Sequence, residues 1–377
     1  MDYKKQSLIL HEKLKGKLEI KSKTPIKTKD DLSIAYTPGV AQPCVEISKN
    51  KDLAYKYTPK SNSVAVVTDG SAVLGLGNIG PEAAYPVMEG KAVLFKEFAN
   101  IDAYPICIDS QEPEDIIKTT KLISPGFGGI NLEDISAPRC FEIEEKLKEL
   151  LNIPVFHDDQ HGTAIVTLAA LINALKLANK KIEDIKIVMS GAGAAGIAIT
   201  NLLINYGLKN IILLDSKGAI YKGRNNLNKY KEQIAEKTNK ENLKGSLKDV
   251  IHNTDVFIGV SQPDILTQKD IENMAEKPII FAMSNPDPEI KPELAKKAGA
   301  FIIATGRSDH PNQINNVLAF PGIFRGALDS KAKKITEEMK IKAAEALANH
   351  IKPEVNKILP SPLDKNVSKV IAEAIKK

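Results

Sequence analysis

Three features of the sequence predict an α/β protein in which an N-terminal α/β catalytic domain precedes a Rossmann-type doubly wound parallel sheet domain with C-terminal helices. A strand, a glycine-rich turn, a helix and a second strand ending in an acid follow one another between Ile182 and Asp215. Further strand-like runs then alternate with helical ones, the grammar of a parallel sheet. In the first half, strand candidates exit into polar, glycine-rich loops that carry two adjacent acidic pairs. A chain of 377 residues has length for two domains, expected at 1–157 and 158–377, with 316–377 packing back on the first.

Hydrophobic and charged shares of 43% and 26% are those of a soluble globular protein. No apolar run approaches the ~20 residues of a membrane span, and the start runs into a charged segment without a signal-type apolar core. No membrane association and a cytoplasmic location are therefore expected. Cys44, Cys107 and Cys140 offer neither a disulfide framework nor a zinc pattern and read as small buried residues. The net charge of +5 comes from scattered lysines without a dense basic block, so nucleic acid is not an expected partner. Only Arg139, Arg224, Arg307 and Arg325 could grip a carboxylate with a bidentate fork.

Up to about Asp30 the pattern fits one or two short surface helices. Tyr36 precedes a turn forced by Pro38 and Gly39; it is either a packed ring with a satisfied hydroxyl or a proton donor. Ser63 to Asp69 reads as a buried strand, and Gly70 to Gly80 as its glycine-rich exit. That exit contains a formal GxGxxG, but no second strand ending in an acid follows about 20 residues on. The glycines read as a tight loop that lets backbone approach a ligand. Lys91, just past Gly90, is a candidate site lysine or one more surface lysine. Ala103 to Asp109 is a second strand, Pro113 to Ile123 an amphipathic helix, and Ser124 to Asp134 a glycine-rich turn ending in Glu133-Asp134.

The second acidic pair, Asp158-Asp159, lies between Phe156 and an apolar helical run from Ala164 to Leu177. Adjacent carboxylates repel and lose solvation on burial, so a fold keeps them inside only with a cation or a proton. Four carboxylates on two strand-exit loops suit a hard divalent ion such as Mg²⁺ or Mn²⁺. A rival reading takes His157 and His161, spaced i,i+4, as a zinc pair; but Asp158 stands where that motif needs a glutamate, and Gly162 follows at once.

In the second half, Ile182 to Ser190 ends in a β-branched strand, and Gly191, Gly193, Ala194, Ala195 and Gly196 form the turn into a helix over Ile197 to Ile204. Asn210 to Leu214 is the next strand, and Asp215, Ser216 and Lys217 follow it. This is the dinucleotide unit: glycines for close approach, a helix N-terminus for the pyrophosphate, an acid for the ribose. Asp215 slightly favours NAD over NADP, although Lys217 could accommodate a 2′-phosphate. Strands over 255–260, 278–283 and 300–304 end at Ser261, Asn285 and Arg307, where ligands of such sheets bind. Asn315 and Asn316 follow, and 331–377 reads as amphipathic helices.

With these residues in view, the chain resembles the malic enzymes in their short bacterial and archaeal form. The likeness runs from about Leu32 to Ala327 through AYTPGVA, TDGSAVLGLGNIG, EGKAVLFK, INLEDI, FHDDQHGTA, GAGAAG, SNPDP and NNVLAFPG. It implies oxidative decarboxylation of L-malate to pyruvate and CO₂ with NAD or NADP and a divalent metal, in a homodimer. By the same resemblance Glu133, Asp134 and Asp159 are metal ligands, and Lys91 and Tyr36 an acid/base pair supported by Asp158. Asn285 and Asn315 or Asn316 are substrate or nicotinamide contacts. Lys91, with a pKa lowered by the nearby cation, is expected to take the hydroxyl proton, and Tyr36 to protonate C3. Ala72 stands where longer members carry a carboxylate-gripping arginine, leaving that role to Arg307 or a partner subunit. Alternatives are a malolactic variant giving lactate, a non-catalytic nucleotide-binding regulator and a zinc hydrolase.

Overall fold

The computed structural model describes residues 2–376. Four parallel strands form the first sheet in the order β2-β1-β3-β4: β1 (Ser63–Thr68), β2 (Asp102–Cys107), β3 (Gly129–Leu132) and β4 (Val155–His157). Every residue of β1 is buried, which explains its unbroken apolar run. Parallel neighbours need crossovers, supplied by helices Pro81–Ala99, Pro113–Ile123 and Arg139–Leu150.

The Pro81–Ala99 helix is absent from the sequence reading, because Pro86 and Gly90 interrupt its pattern. Its buried positions Ala84, Met88, Lys91, Ala92, Phe95 and Ala99 nevertheless keep a 3.6-residue period, and Lys91 falls inside that stripe. Strand β3 likewise lies within what reads as a glycine-rich turn; at four residues it is too short to show a period.

The second sheet runs β10-β9-β8-β5-β6-β7, from β5 (Lys186–Ser190), β6 (Asn210–Asp215), β7 (Gly218–Ala219), β8 (Val256–Gly259), β9 (Ile279–Ala282) and β10 (Ile302–Thr305). It is parallel except for the short β7, which folds back on β6. Chain order reverses at β5, so the crevice beyond β5 and β8 is its switch point.

Helix Asp158–Ala178 connects the sheets. It starts six residues earlier than the apolar run suggests, with both aspartates in its first turn, where their charge complements the macrodipole. Among the described residues it is the one helix long and apolar enough to cross a membrane; 72% of its apolar window is buried inside the protein, as befits a core helix.

Helix Phe320–Asp329 packs on the Pro81–Ala99 helix through Phe95, whose ring lies 4.7 Å from Phe320 and 5.3 Å from Phe324. Helix Glu337–Asn349 lies along Asp158–Ala178, tied by Asn173 Nδ2 donating to the carbonyls of Ala348 and Ile358. Residues 2–62, with helices Tyr3–Leu14, Lys29–Ala35 and Ala41–Lys49, contain no buried side chain. The cysteines correct the uniform expectation: Cys140 is buried, Cys107 half-buried and Cys44 exposed.

Candidate active site

Strand register builds the acidic centre. Leu132 of β3 pairs with His157 of β4, so the residues that leave the two strands next, Glu133 and Asp158, emerge side by side. One oxygen each from Glu133, Asp134 and Asp159 lies within 4.8 Å of the others. Asp134 takes a left-handed backbone (φ 53°), which turns its N–H toward Asp159 Oδ2 at 2.8 Å. Its own Oδ2 is buried without a partner. Burial, then the charge of Asp159, push the Asp134 carboxyl up to about 8. Glu133 is driven well above the carboxylate range by burial, against the pull of Lys91. Partial burial would raise Asp159 too, but His157, Lys91 and the Asp134 N–H together hold it below its ordinary value. Crowded oxygen donors with one orphaned carboxylate oxygen fit a hard divalent cation, which would relieve the repulsion.

Lys91 meets this centre from the 81–99 helix. Its Nζ lies 2.7 Å from Asp158 Oδ2, 2.8 Å from Glu133 Oε1 and 4.4 Å from the centre of the Phe320 ring. The pKa of this ammonium is pulled two ways by the protein. Burial would lower it, yet the charges and hydrogen bonds of Asp158 and Glu133 outweigh burial and hold the ammonium above its usual value. Asp158 Oδ2 also accepts from Asn316 Nδ2, while Asp158 Oδ1 is buried and unpartnered. Asn315 Oδ1 accepts the Val317 N–H at 3.0 Å, while Asn316 reaches the centre through Asp158.

Tyr36 is not brought to this centre within one chain. It is 67% exposed at the end of the Lys29–Ala35 helix, and among the described residues its hydroxyl has no hydrogen bond and it does not contact Lys91, so the packed ring is not realised. The two histidines face different partners. His157 Nδ1 accepts from Gln160 Nε2 at 2.9 Å, and its Nε2 stands 3.1 Å from Asp159 Oδ2, short of an aligned hydrogen bond. His161 Nε2 meets Glu144 Oε2 at 2.9 Å and Nδ1 meets Lys340 Nζ at 2.9 Å. Burial, with the charges of Lys340 and Lys148, brings the His161 imidazole down to about 4 against Glu144. The imidazoles therefore do not form a zinc pair.

Several supports escape sequence reading. Asn131 donates to Glu133 Oε2 at 2.9 Å, and Glu144 Oε1 accepts the His157 N–H at 3.0 Å, steadying the start of the acidic helix. The period-2 placement of Asn131 and Glu133 was the one available signal.

In the nucleotide half, Gly193 caps the helix Ala194–Asn205, with Ala194 and Ala195 in its first turn. A Cβ on Gly196 would collide with the Gly191 carbonyl, the close approach that the third glycine serves. Ser216 and Lys217 are exposed beyond β6, but Asp215 is bound by Arg224 Nη2, one of the four arginines able to grip a carboxylate, and by Lys231 Nζ at 2.7 Å, which the sequence did not single out. Ser261 stands 3.0 Å from Ser190 across the switch point, its N–H held by the buried Glu289. The Gly75 loop packs closely on Asn285-Pro286: a Cβ there would stand 2.8 Å from Pro286 Cδ and 2.9 Å from the Asn285 carbonyl. Arg307 is occupied by Asp309 and the Pro286 carbonyl. Ala72 lies beside the acidic loop, its N–H donating to the Asp134 carbonyl at 2.9 Å.

Residues 160–377 match the sequence profile described as "Malic enzyme, NAD binding domain", and residues 15–115 that described as "Malic enzyme, N-terminal domain". A Bacillus subtilis protein named "Bifunctional malic/malolactic enzyme" is 58% identical over 381 residues, covering 100% of this chain and 93% of the relative. The "NAD-dependent malic enzyme" of Geobacillus stearothermophilus is 59% identical over 363 residues, 96% of this chain and 76% of the relative. Other relatives are named NADP-dependent malic enzymes. The crystal structure of an NAD-dependent malic enzyme from Thermotoga maritima superposes with a TM-score of 0.96 at 51% identity, covering 98% of each chain.

Proposed function

The chain belongs to the malic enzyme family, and from that premise we propose that it converts L-malate to pyruvate and CO₂ with NAD(P)⁺ and Mg²⁺ or Mn²⁺. The observation that carries the site assignment is the buried lysine, Lys91, paired with Asp158 beside three convergent carboxylates. Glu133, Asp134 and Asp159 would hold the divalent ion. When bound, that ion supplies stabilisation of negative charge on the substrate oxygen, and the nicotinamide supplies an acceptor for the hydrogen leaving C2. Lys91 exchanges the proton of the substrate hydroxyl. Asp158 and Asn316 keep its Nζ in place, and Phe320 closes one side of the lysine to water. Asn285, at the exit of β9, is assigned to the substrate or nicotinamide. Loss of the carboxylate leaves C3 in need of a proton, a role assigned to Tyr36.

A homodimer completes the proposal. Residues 2–62 bury no side chain and expose Leu8, Ile9, Leu14, Ile34 and Tyr36, an apolar face suited to a second copy. Sedimentation of a fully active monomer would refute it. Three free cysteines suit a reducing, cytoplasmic location, which fractionation of the host cell would check.

Purified protein with L-malate and Mn²⁺ should raise the ultraviolet absorbance of reduced nicotinamide and release pyruvate. No rise with either NAD⁺ or NADP⁺ would refute the reading. The name of the Bacillus subtilis relative favours a second one, conversion of malate to lactate. Lactate formed without net reduced cofactor would identify it.

A further inference from the structure

We propose that Arg224 and Lys231 fit the adenosine-ribose end of the nucleotide site for a 2′-phosphate, so that NADP⁺ binds at least as tightly as NAD⁺. The inference rests on the reading of the second sheet as a dinucleotide site and reverses the slight preference for NAD drawn from Asp215 alone.

An acid at the end of the second strand of such a unit accepts ribose hydroxyls, and when bare it repels a phosphate on the same ribose. Asp215 is not bare. Its Oδ2 receives Arg224 Nη2 and, at 2.7 Å, Lys231 Nζ; its Oδ1 receives the Lys217 N–H at 2.9 Å. Side chains of Asp215 and Arg224 are each 9% exposed, and that of Lys231 is 23% exposed. Two cations on one carboxylate leave the cluster with a net positive charge, and the exposed Lys217 adds to it. Arg224 is also oriented in advance, because its Nη1 donates at 3.0 Å to the carbonyls of Gly218 and Ala219 on the β6–β7 hairpin. A 2′-phosphate, carrying a charge of about −1.5 to −2, can take over the contacts these cations make with Asp215. A 2′-hydroxyl can still donate to Asp215 Oδ1, so NAD⁺ is retained rather than excluded.

Calorimetric binding of NAD⁺ and NADP⁺, without malate or metal, separates this from the parent reading. Wild-type protein should bind NADP⁺ as tightly as NAD⁺ or more so. Lys231→Met, which keeps the apolar stem, should weaken NADP⁺ by about tenfold or more, the worth of one hydrogen bond to a charged group. It should leave NAD⁺ within about threefold, since no charge-assisted contact to the ribose is lost. Added salt should weaken NADP⁺ the more. Arg224→Ala should act likewise; because it also frees two hairpin carbonyls, its folding is checked by circular dichroism, and Lys231→Met stands as the independent variant. Equal loss of both cofactors in Lys231→Met, or wild-type preference for NAD⁺, would overturn the inference while leaving the dinucleotide site intact. Binding of neither would overturn both.

Discussion

Gly162→Ala would ordinarily stabilise a protein, because alanine is favoured over glycine within a helix by about 1 kcal/mol. At the start of helix Asp158–Ala178 the sign should reverse. A Cβ on Gly162 would fall inside van der Waals contact of Asp158 Oδ1 and stand 3.2 Å from Asn316 Cβ. Asp158 is fully buried, and its Oδ2 holds Lys91 Nζ at 2.7 Å and Asn316 Nδ2, so its carboxylate cannot swing aside without leaving the lysine. Breaking a buried pair costs about 3–5 kcal/mol. Against the helix gain of about 1 kcal/mol, the net loss is about 2–4 kcal/mol. Urea melts of metal-free protein at pH 7 measure that loss, and malate turnover with Mn²⁺ should fall by about a hundredfold as Lys91 loses its placement. A Gly162→Ala protein with wild-type melting and turnover would show that neither the close contact nor the Asp158–Lys91 pair constrains the site.

The adjacent aspartates should separate by assay. Asp159→Asn should weaken Mn²⁺ binding by about tenfold or more. Asp158→Asn should leave Mn²⁺ binding near wild type and lower kcat, and equal loss of Mn²⁺ affinity in both would undo the division. His161 provides a pH test. Its folded value of about 4 lies below the ordinary 6.5, so between those values the unfolded chain takes up a proton that the folded protein refuses. Stability from this group is complete above about pH 6.5 and is lost as pH falls toward 4, by about 3 kcal/mol at most. His161→Gln should remove that part of the acid dependence in urea melts; an unchanged slope would mean that His161 is protonated in the folded state. Glu144, Lys148, Lys340 and Glu337 share the network and face the imidazole, so the variant comparison, not the wild-type curve alone, is decisive.

Elements whose cause is local were legible. Helix Pro113–Ile123 has the predicted bounds, and β1 and β6 lie at the predicted runs, because alternation and burial write directly into contiguous residues. Helix Pro81–Ala99 was hidden by its proline and glycine, and β3 by its brevity. In the site, Glu133-Asp134 and Asp158-Asp159 announced themselves because adjacent acids at strand exits are costly without a cation. Asn131, Glu144 and Phe320 did not, since ordinary polar and aromatic residues become supports only through the side chain they reach.

From the sequence alone came the dinucleotide unit between Ile182 and Asp215, the four carboxylates, and the ordered motifs that carry the family resemblance. Each is a short-range pattern, set by what a turn, a strand end or a helix start demands of neighbouring residues. Tertiary structure decided the partners and therefore the charges. Lys91 meets Asp158 across 67 positions of chain and Asn316 meets it across 158, partners that raise the lysine's pKa and that no local pattern names. Asp215, which in sequence reads as a free acid, is neutralised by Arg224 and Lys231 from beyond β7. Tyr36 stays in solvent within one chain. Coulomb energy depends on distance through the folded protein and on how much water remains between the charges, and neither is written in the order of residues.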